Sequence, residues 1–133
     1  MSFSVARVIV ASLVAFLGLA AVAPPAYAIK QFYAGLRAKY VRPDSKEDND
    51  VALMIAFNQA GCTICHPGDD KHKLTRYAGQ LAWRINKFDK GNKKKIQEAF
   101  DEVGAMRSDP YEPKSPTYSE LFRQGKLPPN PMR

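Results

Sequence analysis

Cysteine is scarce in this sequence, which has only Cys62 and Cys65 in 133 residues. One pair so close together excludes the disulfide frameworks of small secreted proteins, which need several cysteines spread along the chain. The chain is also too short to hold the separate cofactor and substrate domains of a large enzyme. With 45% hydrophobic and 25% charged residues, the composition is that of an ordinary globular domain.

Charged side chains are absent from the first 28 residues, apart from Arg7. An apolar run over residues 8–23 is followed by two prolines and by the small-x-small sequence Ala26-Tyr27-Ala28. This order is typical of a secretory signal peptide. We therefore predict a signal peptide over residues 1–28, a single domain over residues 29–133, and export to the periplasm. The alternative is an uncleaved segment that anchors the protein in a membrane.

A sustained alternation of apolar and polar residues, which would indicate strands, is missing after residue 28. Apolar residues three or four positions apart occur instead, and they predict helices over 29–41, 50–60, 75–88 and 93–105. The sequence Thr117-Tyr118-Ser119-Glu120 has the pattern of a capping box and predicts a short last helix that ends at Gly125. The fold class that we predict is all-α, with four or five helices.

The two cysteines belong to the sequence Cys62-Thr63-Ile64-Cys65-His66, which has the form C-x-x-C-H of covalent haem attachment. Two thiols at this spacing can each add to one vinyl group of the same porphyrin. The adjacent His66 then presents its imidazole to the iron from one face of the ring. Export suits this chemistry, because haem c is attached on the far side of the membrane. The sequence therefore predicts one covalent haem c bound through Cys62, Cys65 and His66.

Three other uses of the cysteine pair stay open at this point. A disulfide between Cys62 and Cys65 would close a very small loop and stabilise the fold little. A thioredoxin-like redox pair needs a βαβ context, which the pattern does not predict. A zinc site needs about four ligands, and the candidates lie within eleven residues: Cys62, Cys65, His66 and His72.

Given the C-x-x-C-H motif, the chain resembles the small mono-haem cytochromes c of class I. The resemblance covers a helix that enters the motif, a loop, middle helices, a methionine and a closing helix. It implies a small fold around one haem, in which the helices near the two termini pack across each other. It also implies an electron carrier rather than an enzyme, with iron that cycles between Fe(II) and Fe(III).

Two features depart from the pattern of that family. Asn58 stands four residues before the first cysteine, where the family usually has an aromatic residue, although Phe57 is adjacent. Residues 68–105 contain no proline, whose carbonyl usually accepts a hydrogen bond from the axial histidine. The acceptor for His66 therefore cannot be identified from the sequence.

The sixth iron ligand has several candidates. The resemblance implies Met106, forty residues after His66 at the end of the predicted helix 93–105. His72 is the second histidine of the chain, and Met54 and Met132 are further methionines. An open sixth position is another alternative, and it would indicate a haem enzyme or a binder of small ligands such as gases. A third possibility is a cytochrome subunit of a larger oxidoreductase complex.

The chain carries 20 basic against 13 acidic residues, and many of the lysines follow the motif. Lysines near an exposed haem edge would steer an acidic redox partner into contact, although a solvated helix face is the simpler interpretation. Nucleic acid is excluded as a partner, because the chain is predicted to be exported and shows no recognition motif. The lysines concerned are Lys71, Lys73, Lys87, Lys90 and Lys93–Lys95.

The haem is expected to contact apolar side chains, with ordinary core packing as the alternative for each of them. The predicted wall residues are Phe57, Tyr77, Leu81, Phe100 and Phe122. Hydrogen bonds to the propionates are expected from Trp83, Arg84 or Arg76, with a solvated surface as the alternative for both arginines.

Overall fold

The computed structural model describes residues 29–68 and 70–129. The predicted signal peptide and Met132 lie outside these residues. Within them the chain forms five α-helices: α1 Lys30–Tyr40, α2 Asp48–Ala60, α3 Arg76–Ala82, α4 Lys93–Gly104 and α5 Tyr118–Arg123. Two 3₁₀ turns lie at Gly61–Ile64 and Lys87–Asp89.

No strand occurs in the described residues, where the only β-type pairing is an isolated bridge between Arg107 and Thr117. The prediction of an all-α fold is therefore confirmed for this part of the chain. None of the helices between residues 29 and 129 that the structure describes is long and apolar enough to cross a membrane.

The capping box before α5 is confirmed. The hydroxyl of Thr117 accepts a hydrogen bond from the amide of Glu120 at 3.2 Å, and the Glu120 carboxylate accepts one from the amide of Thr117 at 2.6 Å. These bonds satisfy two amides at the helix start that have no partner within the helix. The bond from the Thr117 amide also lowers the pKa of Glu120.

The predicted helix over 75–88 is wrong in its second half. Helix α3 ends at Ala82, and the side chain of Asn86 then accepts a hydrogen bond from the amide of Phe88 at 2.9 Å. The Asp89 carboxylate accepts one from the amide of Asn86, also at 2.9 Å. Such side-chain bonds compete with the continuation of a helix. Phe88, the last residue of the predicted helix, is consequently 84% exposed.

The core is centred on the ring of Phe122 in α5. Its centroid lies 4.3 Å from that of Tyr40 in α1, 5.7 Å from that of Tyr77 in α3, and 6.0 Å from that of Phe57 in α2. Aromatic pairs at such separations contribute packing energy beyond the burial of their surface. Helix α2 packs on α5, and α1 packs on α4. The last helix therefore joins three others around one ring.

Gly125 brings the end of α5 close to the backbone of α2. Its φ is +76°, and a Cβ at this position would lie 2.7 Å from the carbonyl oxygen of Asn49. We expect Gly125→Ala to lower the free energy of unfolding by about 1–3 kcal/mol, because it combines a left-handed backbone with a steric clash.

The matched control is Gly79→Ala in α3, where a Cβ would meet no atom within 4 Å. Because alanine favours a helix over glycine, this variant is expected to raise the free energy of unfolding by about 0.5–1 kcal/mol. Urea unfolding of the two variants measures both effects. A similar loss of stability in both variants would show that the close packing of Gly125 against α2 does not explain the effect of Gly125→Ala.

Candidate functional site

Helix α2 leads directly into the C-x-x-C-H motif. The helix ends at Ala60, and Gly61 takes a φ of +51°, which permits the change of direction into the 3₁₀ turn. The amides of Cys65 and His66 both donate to the carbonyl oxygen of Cys62, at 3.1 and 3.0 Å. The turn is therefore compact, and both thiols and the imidazole line one cavity.

The two thiols differ in their surroundings. Both are free, with Cys62 exposed and Cys65 partly covered. Burial, reinforced by the nearby Cys62, raises the pKa of the Cys65 thiol to about 11. Cys65 is therefore a neutral thiol at physiological pH, and Cys62 is the more accessible of the two.

The other interpretations of the motif find no matching arrangement in the described residues. The thiols are not joined in a disulfide. The βαβ context of a thioredoxin-like pair would need strands, and this part of the chain has none. Across residues 29–68 and 70–129, no three His, Cys, Asp or Glu side chains are placed to hold a metal ion together. His72 is exposed, and its amide donates to the Asp70 carboxylate at 2.9 Å.

The imidazole of His66 is buried, with 4% of the residue exposed, and it is oriented by one hydrogen bond. Its Nδ1 lies 2.8 Å from the carbonyl oxygen of Lys73. Because a carbonyl oxygen only accepts, Nδ1 carries the proton and Nε2 keeps its lone pair for a metal. This is the usual arrangement of an axial histidine. The acceptor that the sequence did not reveal is therefore Lys73, and no side-chain pattern could have identified a backbone carbonyl.

Thr75 fastens the loop that carries Lys73 to the motif. Its amide donates to the carbonyl of Cys65 at 2.9 Å, and its hydroxyl donates to the carbonyl of Ile64 at 2.8 Å. The same hydroxyl accepts from the amide of Ala78 at 3.2 Å and so caps α3. The residue is only 3% exposed. One threonine therefore fixes the motif, the loop and the start of α3 relative to one another.

The motif faces an apolar cavity of about 450 Å³. This volume falls within the range of small-molecule and cofactor sites, roughly 300–1,000 Å³. The cavity is bounded by the start of α1, by the motif, and by α3 with the turn after it. Its apolar walls include Ile29, Phe32, Tyr33, Leu74, Ala78, Leu81, Ile85 and Phe88. An apolar cavity with two thiols and one metal-ligating nitrogen on its wall suits a covalently bound haem.

The four aromatic residues expected around the haem do not line the cavity. Leu81, which was expected beside the haem, lines the cavity. Phe57, Tyr77, Phe100 and Phe122 are fully buried in the core instead. The wall that α1 supplies through Phe32 and Tyr33 could not be predicted from the sequence, because the periodicity of a helix shows its apolar side but not what that side packs on.

The candidate sixth ligands among the described residues do not line the cavity. Met106 follows α4, where it packs partly buried on the core, and its carbonyl oxygen accepts from the amide of Tyr118 at 3.1 Å. Met54 also packs on the core. Neither methionine lines the cavity, and neither does His72. Met106 as iron ligand stays a prediction.

The residues expected to bind the propionates are engaged elsewhere or point away. Arg84 lies 2.8 Å from the Glu102 carboxylate, and Arg76 lies 3.4 Å from that of Asp109. Trp83 is 87% exposed. None of the three lines the cavity.

Comparison of the chain with protein-family models, with curated proteins and with solved structures finds no match. The resemblance to class I cytochromes c is therefore carried by the motif and by the order of the helices. The orientation of His66 and the apolar cavity are independent geometric support for a haem site.

We expect Thr75→Val to lower the free energy of unfolding by about 2–4 kcal/mol. The substitution leaves the carbonyl of Ile64 and the amide of Ala78 without their side-chain partner. Thr75→Ser keeps the hydroxyl, and we expect it to lose only about 1 kcal/mol, the contribution of one buried methyl group.

Chemical denaturation measures the stability of both variants. The NMR signal of the proton on His66 Nδ1 reports the bond to Lys73, and we expect faster exchange with water in the valine variant alone. Equal effects of valine and serine would show that the hydroxyl does not hold the loop in place.

Proposed function

We propose that the protein is an exported mono-haem cytochrome c that carries electrons. The observation that carries this proposal is the position of Cys62, Cys65 and His66 on the wall of one apolar cavity of about 450 Å³. The bond between His66 Nδ1 and the Lys73 carbonyl adds to it, because it leaves Nε2 available to an iron atom.

Each residue of the motif has a defined part in binding. The sulfur atoms of Cys62 and Cys65 would each form a carbon–sulfur bond with one vinyl group, and the thiol hydrogen would pass to the other vinyl carbon. Nε2 of His66 would hold the iron. When bound, the haem would supply a one-electron couple between Fe(II) and Fe(III). Leu81, Ile85 and other apolar side chains of the cavity would exclude water from the ring.

The partner that we propose is a redox protein with an acidic docking surface. Lys87 lines the cavity, and Lys90 lies in an adjoining groove, so positive charge surrounds the opening of the site. Such a distribution accelerates association with an acidic surface more than it tightens the complex. The exposed side chain of Phe88, also on the cavity wall, adds an apolar contact.

The first test is covalent attachment. When the protein is produced with its N-terminal segment and a haem-attachment system, we expect one haem that remains on the chain in a denaturing gel. Cys62→Ala and Cys65→Ala are each expected to retain at most one thioether, which the intact mass and the shifted absorption band would report.

His72→Ala serves as the control, because His72 is exposed and does not line the cavity. This variant should retain haem on both cysteines. A colourless band at the mass of the unmodified chain for the original protein would overturn the proposal.

A second candidate function is a haem protein with an open sixth position, which binds or transforms a small ligand. The observation that favours it is that neither Met106 nor His72 lines the cavity. The ring of Tyr33 also lines the cavity, and its hydroxyl is held by a hydrogen bond to the Phe57 carbonyl at 3.0 Å.

The optical spectrum of the purified haem protein distinguishes these functions. If Met106 is the ligand, Met106→Ala should convert low-spin iron to high spin and lower the reduction potential, because a thioether favours Fe(II). Met54→Ala is the matched control: it removes a methionine packed on the core, so we expect a loss of about 2 kcal/mol in stability and an unchanged spectrum. High-spin iron in the original protein, with rapid binding of carbon monoxide, would instead identify an open site.

A further inference from the structure

We infer that Lys30, Lys87 and Lys90 bind the propionate carboxylates of the haem. This inference rests on the proposed function and assigns a second, ionic binding site to the same cavity. The inference assigns the binding of the propionates to lysines, and no longer to the residues that the sequence suggested, Arg76, Trp83 and Arg84.

The three lysines share a groove that continues the apolar cavity. The groove has a volume of about 610 Å³, and its walls are Ile29, Lys30, Gln31, Lys87, Phe88 and Lys90. Four of these residues also line the cavity, whereas no residue of the C-x-x-C-H motif lines the groove. The cavity is therefore apolar where it meets the cysteines. It continues into a basic groove that the cysteines do not line.

The chemistry of the porphyrin matches this polarity. Its two vinyl groups and its two propionates lie on opposite edges of the ring. Bonds to Cys62 and Cys65 would place the vinyl edge at the motif, so the propionates would lie at the edge remote from it. Carboxylates in an apolar cavity are costly unless they meet cations or water. The basic groove supplies the cations through Lys30, Lys87 and Lys90.

The lysines of the groove are available for such contacts. In the described residues, none of the three lies within ion-pair distance of a carboxylate, whereas the nearby Lys95 lies 2.8 Å from Asp89. Helix α1 also begins at Lys30 without an acidic residue in its first turn. The partial positive charge of this helix start therefore adds to that of the lysines.

Cross-linking of the haem protein with a water-soluble carbodiimide tests the contact directly. The reagent takes up the water lost when a propionate and a lysine amine condense to an amide. After proteolysis, we expect the haem peptide with Cys62 and Cys65 to be joined to a peptide that contains Lys30, Lys87 or Lys90. Fragment spectra must place the new bond on the haem rather than on an aspartate of the same peptide.

The reduction potential gives an independent readout. Replacing all three lysines by glutamine leaves the propionate charge unbalanced, which favours Fe(III). At a fixed applied potential we expect the ratio of ferrous to ferric protein to fall roughly tenfold, equivalent to a decrease of about 59 mV. Lys114→Gln is the control: it removes one exposed charge from a residue that lines neither the cavity nor the groove.

The outcomes separate the inference from the proposed function. Haem cross-links to the groove lysines, together with a decrease in potential well beyond that of the control, support the assignment. If haem is attached but no cross-link reaches the three lysines, or the triple variant behaves like Lys114→Gln, the assignment is overturned and the cytochrome proposal stands. If no haem is attached, both are overturned.

Discussion

The hydrogen bond from Nδ1 of His66 to the carbonyl oxygen of Lys73 is the interaction on which the candidate site depends. It fixes the tautomer and the direction of the imidazole, and it requires a loop to return to the motif within seven residues. Thr75 makes that return possible, because its two bonds to the carbonyls of Ile64 and Cys65 pull the end of the loop onto the 3₁₀ turn. Since Thr75 also begins α3, the cavity wall that α3 supplies has a fixed position relative to the histidine.

Helix α3, which forms one wall of the cavity, packs on a core of aromatic side chains. This packing leaves one buried hydroxyl without a hydrogen bond. Tyr77 in α3 is fully buried, its ring lies 5.0 Å from that of Tyr118, and its hydroxyl is the one buried side-chain polar atom of the described residues without a hydrogen-bond partner. Burial raises the pKa of this phenol well above its usual range. An unpaired buried hydroxyl costs about 1–3 kcal/mol, which the ring packing against Tyr118 and Phe122 offsets.

Features with local causes could be predicted from the sequence, and features that depend on distant segments could not. The positions of α1 and α4, the capping box at Thr117 and the C-x-x-C-H motif follow from spacing within a few residues. The end of α3 at Ala82 was missed because the Asn86 side chain outweighs the apolar periodicity. The contact of His66 with Lys73 and the basic groove were missed for another reason. The first uses a backbone atom, and the second exists only where the start of α1 meets the turn around Phe88.

The long separation between the first and last helices means that the core closes only when both ends of the domain are in place. The bond between the hydroxyls of Tyr40 and Ser119 joins residues 79 positions apart, and the ring of Phe122 packs on the rings of Tyr40, Phe57 and Tyr77. Contacts so distant in sequence require a long loop to close before they contribute to stability. A chain shortened before α5 would therefore keep the whole C-x-x-C-H motif and lose the one ring on which three other helices pack.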